Sequence, residues 1–577
     1  MKQISKIVAL LIFFVLLLNT ADAQRKNSKN RTKKSSTKKT AAVKPTKAKD
    51  ETTVVALDTI SPAVVTITSA FKPVLRNAAK INFTAATPGM DSSRIAINYT
   101  IPSQNLFFAY QPVSIKPLAL PTDSGIIWQN KQYIKLGYGN FSAPWLEAGF
   151  SFGDGKKAIT NIHARYTGAK GNLAFQEFSN TDINVVNILN TTKNLEWTTR
   201  AFYTNRSQYL YGYQPVSLVM AASQIRQNFS TVGIEAGFQN KTTGEFGIDF
   251  HPRVNIHFFS DNRNAQEFNS MIKLPLTKSF GKIFAFDLGI TADITRLKNA
   301  VATTTIANNL YYLNPSIVFK TPNFKLNAGI QPTWDNTVFS IMPNITAEAK
   351  IKNEKFIFMA GWLGYIQKNT YESLAGTNPW LAPLPGLINT RIREQYAGFK
   401  GSSGSHFTYH MKLSFLEQTS VPLFVNDLAD GKTFLTLFET EAKAIRLHGE
   451  VGYSVQEKFS FSAGATYLNF TSLAGNAAAF GVLPFELTGS LRWRILKDVQ
   501  VKSDLFFWDG ARYRTKTLQT AKTAAAIDGN LGIEYAIAPK INVWVQLNNI
   551  FNNRYQRWNQ YEVLGFNALA GFIYSFK

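Results

Sequence analysis

The chain has 577 residues, 62 Lys and Arg against 37 Asp and Glu, and a formal net charge of +25. It has no cysteine, which excludes disulfides, thiolate metal sites, cysteine nucleophiles and an N-terminal lipidated cysteine. Aromatic residues make up 13% of the chain and charged residues only 17%; a mean hydropathy of -0.11 fits a soluble protein, but barrel strands hide their oil by alternation.

The N-terminus reads as a secretory signal over residues 1–23. Lys2 and Lys6 supply the positive region, Ile7 to Leu18 is an unbroken apolar run, and Ala21-Asp22-Ala23 is a small-x-small cleavage site. That run is too short for a typical spanning helix, and no later run reaches the ~18 apolar residues one needs. Residues 24–50 form a basic linker, with eleven Lys and Arg against the single acid Asp50. Ser, Thr, Asn and Pro separate the charges, so nothing there can offset the entropy of ordering, and the stretch is expected to be disordered. Much of the excess charge therefore sits in one solvated tether, and a nucleic-acid partner is not expected on a secreted chain.

Residues 51–130 are rich in proline and contain extended apolar pieces such as AVVTITSAF and NLFFAYQPV. They are expected to run into a lumen or along its mouth. From residue 131 onward, segments of period two follow one another. Val232, Ile234, Ala236 and Phe238 oppose Gly233, Glu235 and Gly237; Phe407, Tyr409, Met411, Leu413 and Phe415 oppose Thr408, His410, Lys412 and Ser414. The second face carries whole charges, which demand water behind the sheet rather than a packed core because an unpaired buried charge is very costly. The expected fold is all-β: a transmembrane antiparallel β-barrel over 131–577, with an oily exterior and a wet interior.

Connections alternate in length. Short ones fall near 153–157, 190–194, 239–244, 278–282, 320–323, 351–355, 400–405, 455–458, 496–499 and 538–540. The other set, mostly longer, falls near 167–179, 205–225, 259–264, 296–305, 332–337, 367–388, 417–432, 471–481, 511–527 and 552–562. With one tight connection near Asn140 to Pro144, the total predicts 22 strands, within a range of 18–24 because 432–455 reads as either one strand or two. Short periplasmic turns, longer extracellular loops and both ends of the barrel chain on the periplasmic side are the expected arrangement. The last stretch, Leu564 to Lys577, alternates to the end of the chain, with Phe572, Tyr574 and Phe576 as its barrel-closing aromatics.

No catalytic constellation is present: there is no G-x-S-x-G elbow, P-loop or H-E-x-x-H, and the chain reads as a non-enzyme without cofactor. His406 and His410 lie four apart on one strand face, roughly 13–14 Å at ~3.3–3.4 Å per residue, too far for one metal ion. No metal site is expected. Two loops hold groups suited to recognition: Trp380 among Pro379, Pro383 and Pro385, and the cluster Arg554, Tyr555, Arg557, Trp558 and Tyr561.

Leu547-Asn548-Asn549-Ile550-Phe551-Asn552, then Tyr555, Gly565 and Gly571-Phe572-Ile573-Tyr574-Ser575-Phe576 resemble the C-terminal end of TonB-dependent receptors. Ser69-Ala70-Phe71-Lys72-Pro73-Val74-Leu75 with Ala78-Ala79-Lys80-Ile81-Asn82 is similar to the start of a divergent Bacteroidota group. The resemblance implies a 22-stranded outer-membrane barrel that imports a bulky solute of the iron-chelate, vitamin or glycan class. It implies outer-membrane lipid, the barrel-assembly machinery, an energising TonB-type periplasmic protein and possible further outer-membrane subunits as partners. Glu51 to Leu57 looks like a TonB box, with Thr53, Val54, Val55 and Ala56 as the strand offered to the partner's sheet edge. Two departures stand out. Residues 51–130 are too few for a complete plug domain, and Lys577 follows the terminal aromatic. A plugless barrel acting as a scaffold subunit, or a passive wide channel, are the alternatives.

Overall fold

The computed structural model describes residues 132–576 apart from 192–193, 244–245, 303 and 457. The signal peptide, the basic linker and 51–130, with Thr53 to Ala56, lie outside the described residues. No helix among the described residues is long and apolar enough to cross a membrane.

The described chain is a closed barrel of 22 antiparallel strands. The first strand, Gln132–Gly139, pairs on one side with Ala143–Gly153 and on the other with the last strand, Asn567–Phe576. Closure matters because a sheet in lipid cannot leave an edge of unpaired N–H and C=O groups. One wall strand is broken into Ile248–Phe250 and Arg253–Asp261 at His251–Pro252. Pro252 has no N–H to give the ladder, and its carbonyl instead accepts from Phe238 N. The stretch 432–455, ambiguous in sequence, is one strand, Phe434–Val455. The expected longer loop at 332–337 is in fact a tight hairpin between Asp335 and Val338. Asn336 takes the left-handed backbone region there (φ 55°), which asparagine tolerates.

Alternation sets the two faces. Phe407, Met411, Leu413 and Phe415 are exposed on the outer face, as are Phe572, Tyr574 and Phe576 of the last strand. Phe407 and Phe415 lie eight residues apart. That is roughly 27 Å along the strand, or about 20 Å along the axis at a ~40° tilt, close to the ~25 Å apolar band of outer-membrane barrels. The inner face carries paired charges. Glu394, fully buried, receives Lys412 Nζ at 2.7 Å, Arg446 Nη2 at 2.8 Å and Ser414 Oγ at 2.6 Å. Lys400 meets Glu348 at 2.8 Å, and Glu534 holds Lys502 at 2.9 Å and Lys135 at 3.6 Å. The wet face predicted from the charges is therefore also a cross-strand ion-pair lattice, which lowers the cost of each charge.

The seam between first and last strands is locked from inside by Trp544 on the neighbouring strand Ile541–Asn548. Trp544 pairs in register with Gly571, which pairs with Gly137. The indole crosses both glycines, and its Nε1 donates to Leu136 O at 3.1 Å. Lys135 Nζ sits 4.3 Å from the Trp544 ring centroid, and Trp145 packs against the same indole at 5.8 Å. A Cβ on Gly137 would lie 2.2 Å from the Trp544 ring. Gly137→Val should therefore destabilise the barrel by about 1–3 kcal/mol, the usual cost of overpacking. Gly376→Ala, where an added Cβ meets nothing within 4 Å, should not. The midpoint of the heat-induced gel-mobility shift of the folded barrel measures both.

Candidate functional site

At the end of the barrel that carries the long connections, the wall continues past the membrane. Phe407–Asn426 and Phe434–Val455 have 20 and 22 residues, about twice the ~9–11 that a bilayer requires. On the outer side of this overhang, Val421, Leu423 and Val425 are covered by Ala478 and Phe480 of the 474–484 connection rather than by lipid. Glu439 fixes that cover: it accepts from the backbone N–H groups of Ala474 (2.9 Å), Gly475 (2.6 Å) and Asn476 (2.9 Å).

Inward, the long connections converge into one packed lid. Trp380 stacks on Tyr561 with ring centroids 3.8 Å apart, and Tyr211 meets Tyr561 edge-on at 5.0 Å. Trp558 packs on Phe424 (5.4 Å) and Phe434 (5.3 Å). Leu210, Ile225, Phe259, Leu297, Leu381 and Leu384 complete the cluster. Hydrogen bonds tie the same segments. Gln208 Nε2 donates to Pro379 O at 2.9 Å and Tyr211 OH to Glu562 O at 2.8 Å. Phe434 N donates to Trp380 O, Ala382 N returns the bond to Phe434 O, and Tyr561 OH donates to Lys432 O. Gly481 needs both its left-handed backbone (φ 78°) and its missing side chain, because a Cβ there would lie 2.7 Å from the Trp558 ring.

A short helix, Tyr371–Thr377, reaches to the wall strands that carry Thr231, His257 and Glu267. Thr370 and Ser373 cap its start reciprocally. Glu267 accepts from Tyr371 N at 2.6 Å and Glu372 N at 3.3 Å, meeting the orphan donors of the first turn. Glu372 in turn accepts from Thr231 Oγ1 at 2.9 Å and meets His257 Nε2 at 2.8 Å, while Tyr371 OH donates to Asp261 Oδ2 at 2.8 Å.

Of the recognition groups expected from sequence, Trp380, Trp558 and Tyr561 are brought together in this cluster with Arg557 over the Trp558 ring, whereas Tyr555 packs in a separate cluster with Phe506 and Val563. Trp380, Tyr555, Arg557, Trp558 and Tyr561 are buried. Of the six, only Arg554 is exposed, its Nη1 4.0 Å from Glu562. Arg557 Nη2 donates to Gly481 O at 3.0 Å, and Tyr555 OH donates to Asp528 Oδ2 at 2.9 Å. Burial drives the Tyr555 and Tyr561 phenols well above their ordinary pKa, so both remain donors at neutral pH.

The inner wall holds a group that sequence reading passed over. His410 lies opposite Glu450 on the adjacent strand and diagonal to His448. His406 is at the turn, its Nδ1 2.7 Å from Ser454 O, so the true neighbour of His410 is across the hairpin and not along its own strand. The signal was present. The hairpin turns about Asp430, so residues whose numbers sum to 860 face each other.

Two predictions follow from the lid. Trp380→Ala should loosen it by about 3–5 kcal/mol, and a double-mutant cycle with Tyr561→Ala should give a coupling of about 0.5–1.5 kcal/mol for the stack. Protease cutting within 368–389 reads both. Burial pushes the Asp427 carboxyl up, but N–H donation from Thr433, Asp430 and Gly431 and the Thr433 hydroxyl outweighs it and holds the group below its ordinary value. A carboxyl lowered by folding stabilises above its unfolded pKa of ~4 and loses that contribution as pH falls through the lowered value. Protection of the 427–433 loop from protease should therefore fall in acid, and Asp427→Asn should flatten that dependence.

No family model matches the chain, and no curated protein matches it. Solved structures do. The FrpB iron transporter from Neisseria meningitidis (F5-1 variant) is 10% identical, with 78% of this chain and 83% of that chain covered at a TM-score of 0.61. The pyoverdine outer membrane receptor FpvA from Pseudomonas aeruginosa PAO1, bound to pyoverdine, is 11% identical over 78% and 79% at 0.59. The siderophore receptor PirA from Acinetobacter baumannii is 10% identical over 78% and 80% at 0.59. At such identities the likeness is one of fold: this chain shares the 22-stranded antiparallel β-barrel of those structures.

Proposed function

We propose that the protein is an outer-membrane receptor-type transporter that takes up a bulky solute, with its lid facing outward and its short turns facing the periplasm. The observation that carries this reading is the lid. Loops from widely separated strands pack on one another through Trp380, Tyr561, Trp558 and Phe434, so a large solute can pass only if bound groups shift that packing. A passive wide channel has no use for such a closure, and the reading disfavours it. Iron chelates are the first solute class to test, because the solved structures of the same fold are an iron transporter and siderophore receptors. Vitamins and glycans follow. No catalytic step is assigned to the chain.

Energy is proposed to enter through Thr53 to Ala56, by strand addition to a TonB-type periplasmic partner. Lipid surrounds the apolar band, and the assembly machinery for outer-membrane barrels recognises the strand ending in Phe572, Tyr574 and Phe576.

Deletion of 51–57 should abolish energised uptake of a labelled ferric chelate by cells while surface binding of the chelate persists. Unchanged uptake would remove the energised-import reading. Purified protein in a planar bilayer should conduct weakly, and Trp380→Ala with Tyr561→Ala should raise its conductance. A large conductance in the unmodified protein would favour the passive pore. Stable co-purification of other envelope subunits, without uptake, would favour the scaffold.

A further inference from the structure

We propose that His410, His448 and Glu450 form a binding site for a divalent first-row transition-metal ion on the lumen wall, near the short-turn end of the barrel. One ligand atom from each residue lies within 4.8 Å of the others. His448 Nε2 is 3.0 Å from Glu450 Oε1, and the two imidazole centroids are 6.1 Å apart. Metal–ligand bonds of ~2.0–2.1 Å in tetrahedral geometry place neighbouring donors roughly 3.3 Å apart. The His448–Glu450 separation is already near that edge, and His410 needs only a side-chain adjustment.

The site is built by register. Strands Phe407–Asn426 and Phe434–Val455 share the hairpin that puts His410 against Glu450 and Lys412 against His448. All three candidate ligands fall on the inner face by alternation, which rigid strands hold better than loops would. A support for one ligand is also present. Thr466 Oγ1, from the next strand, lies 2.8 Å from His448 Nδ1. That contact orients the ring and leaves Nε2 facing Glu450, as an outer-shell partner does for a metal-bound histidine.

Charge permits a cation there. The nearest lysines on this wall are engaged elsewhere: Lys412 with Glu394 at 2.7 Å and Lys400 with Glu348 at 2.8 Å. Two imidazoles and one carboxylate suit zinc, cobalt, nickel or copper better than magnesium or calcium, which prefer all-oxygen sets. Three protein ligands leave a fourth tetrahedral position free for water or a donor atom of a passing solute. The site is distinct from the lid and does not depend on the transport reading.

The test uses the full mature protein, stripped with chelator and held in detergent micelles, with Co²⁺ as the probe and Zn²⁺ as competitor. One equivalent of Co²⁺ should bind with visible absorption of the intense, low-symmetry type, and Zn²⁺ should displace it. His410→Gln with His448→Gln should remove that equivalent. Thr466→Val should weaken it about tenfold, the lower end of outer-shell effects. His406→Ala should leave it unchanged. Heat-dependent gel mobility confirms that each variant is folded. Binding that is equal in the unmodified protein and the double variant, or no saturable binding in the unmodified protein, would overturn the proposal. Failure here leaves the uptake experiments untouched, and failure of uptake leaves this site standing.

Discussion

Everything in this molecule depends on one requirement: every backbone N–H and C=O within the membrane must find a partner in the wall itself. A barrel meets it only when the last strand finds the first, here Asn567–Phe576 against Gln132–Gly139. Among the described residues, that joint is the one place where ladder partners lie more than four hundred residues apart in the chain. Trp544 spans it from the lumen side, resting over Gly137 and Gly571 and donating to Leu136 O. Gly137 leaves room for the indole, while a side chain at Gly571 would meet the backbone of Leu136 and Gly137. The two missing side chains let the strands close up and the ring act as a clasp.

The second constraint is width. A wall of 22 strands encloses a lumen that its own inward side chains cannot fill. Two solutions operate at different levels. On the wall, charges pair across strands, as Glu394 does with Lys412 on the adjacent strand and with Arg446 one strand further on. At the long-loop end, apolar and aromatic loop residues pack into a core of their own. That core is the largest buried apolar cluster among the described residues. Trp380 and Tyr561 come from connections almost two hundred residues apart and stack directly. The lid is therefore a tertiary object, held by contacts between loops and by a helix anchored on Glu267.

These two levels divide the roles of the residues as well. Aromatics that a loop sequence offers for recognition are spent on packing. Of those candidate groups, Arg554 alone stays exposed. The wall keeps its ion pairs, and in one place it also aligns two imidazoles with a carboxylate.

The fold was legible from the sequence because alternation is local. A period of two decides which side chains face lipid and which face the lumen, and turn residues mark where each strand reverses. Phe407 to Phe415, Glu235, His410 and the closing aromatics Phe572, Tyr574 and Phe576 all lie on the faces that their parity assigns. Strand number followed from counting connections, and it failed only in detail, where Asn336 makes a tight turn in place of a longer loop. The site was much less legible. Whether Trp380 and Trp558 face water or one another depends on how loops converge around a rim, and no local pattern encodes that meeting. His410 and Glu450 share a face by parity, but their approach is set by the register of a 20- and a 22-residue strand about one turn. Sequence determined the wall because inside and outside repeat every second residue. Tertiary structure decided the lid, the clasp and the histidine cluster because each is a contact between segments that only a closed cylinder brings together.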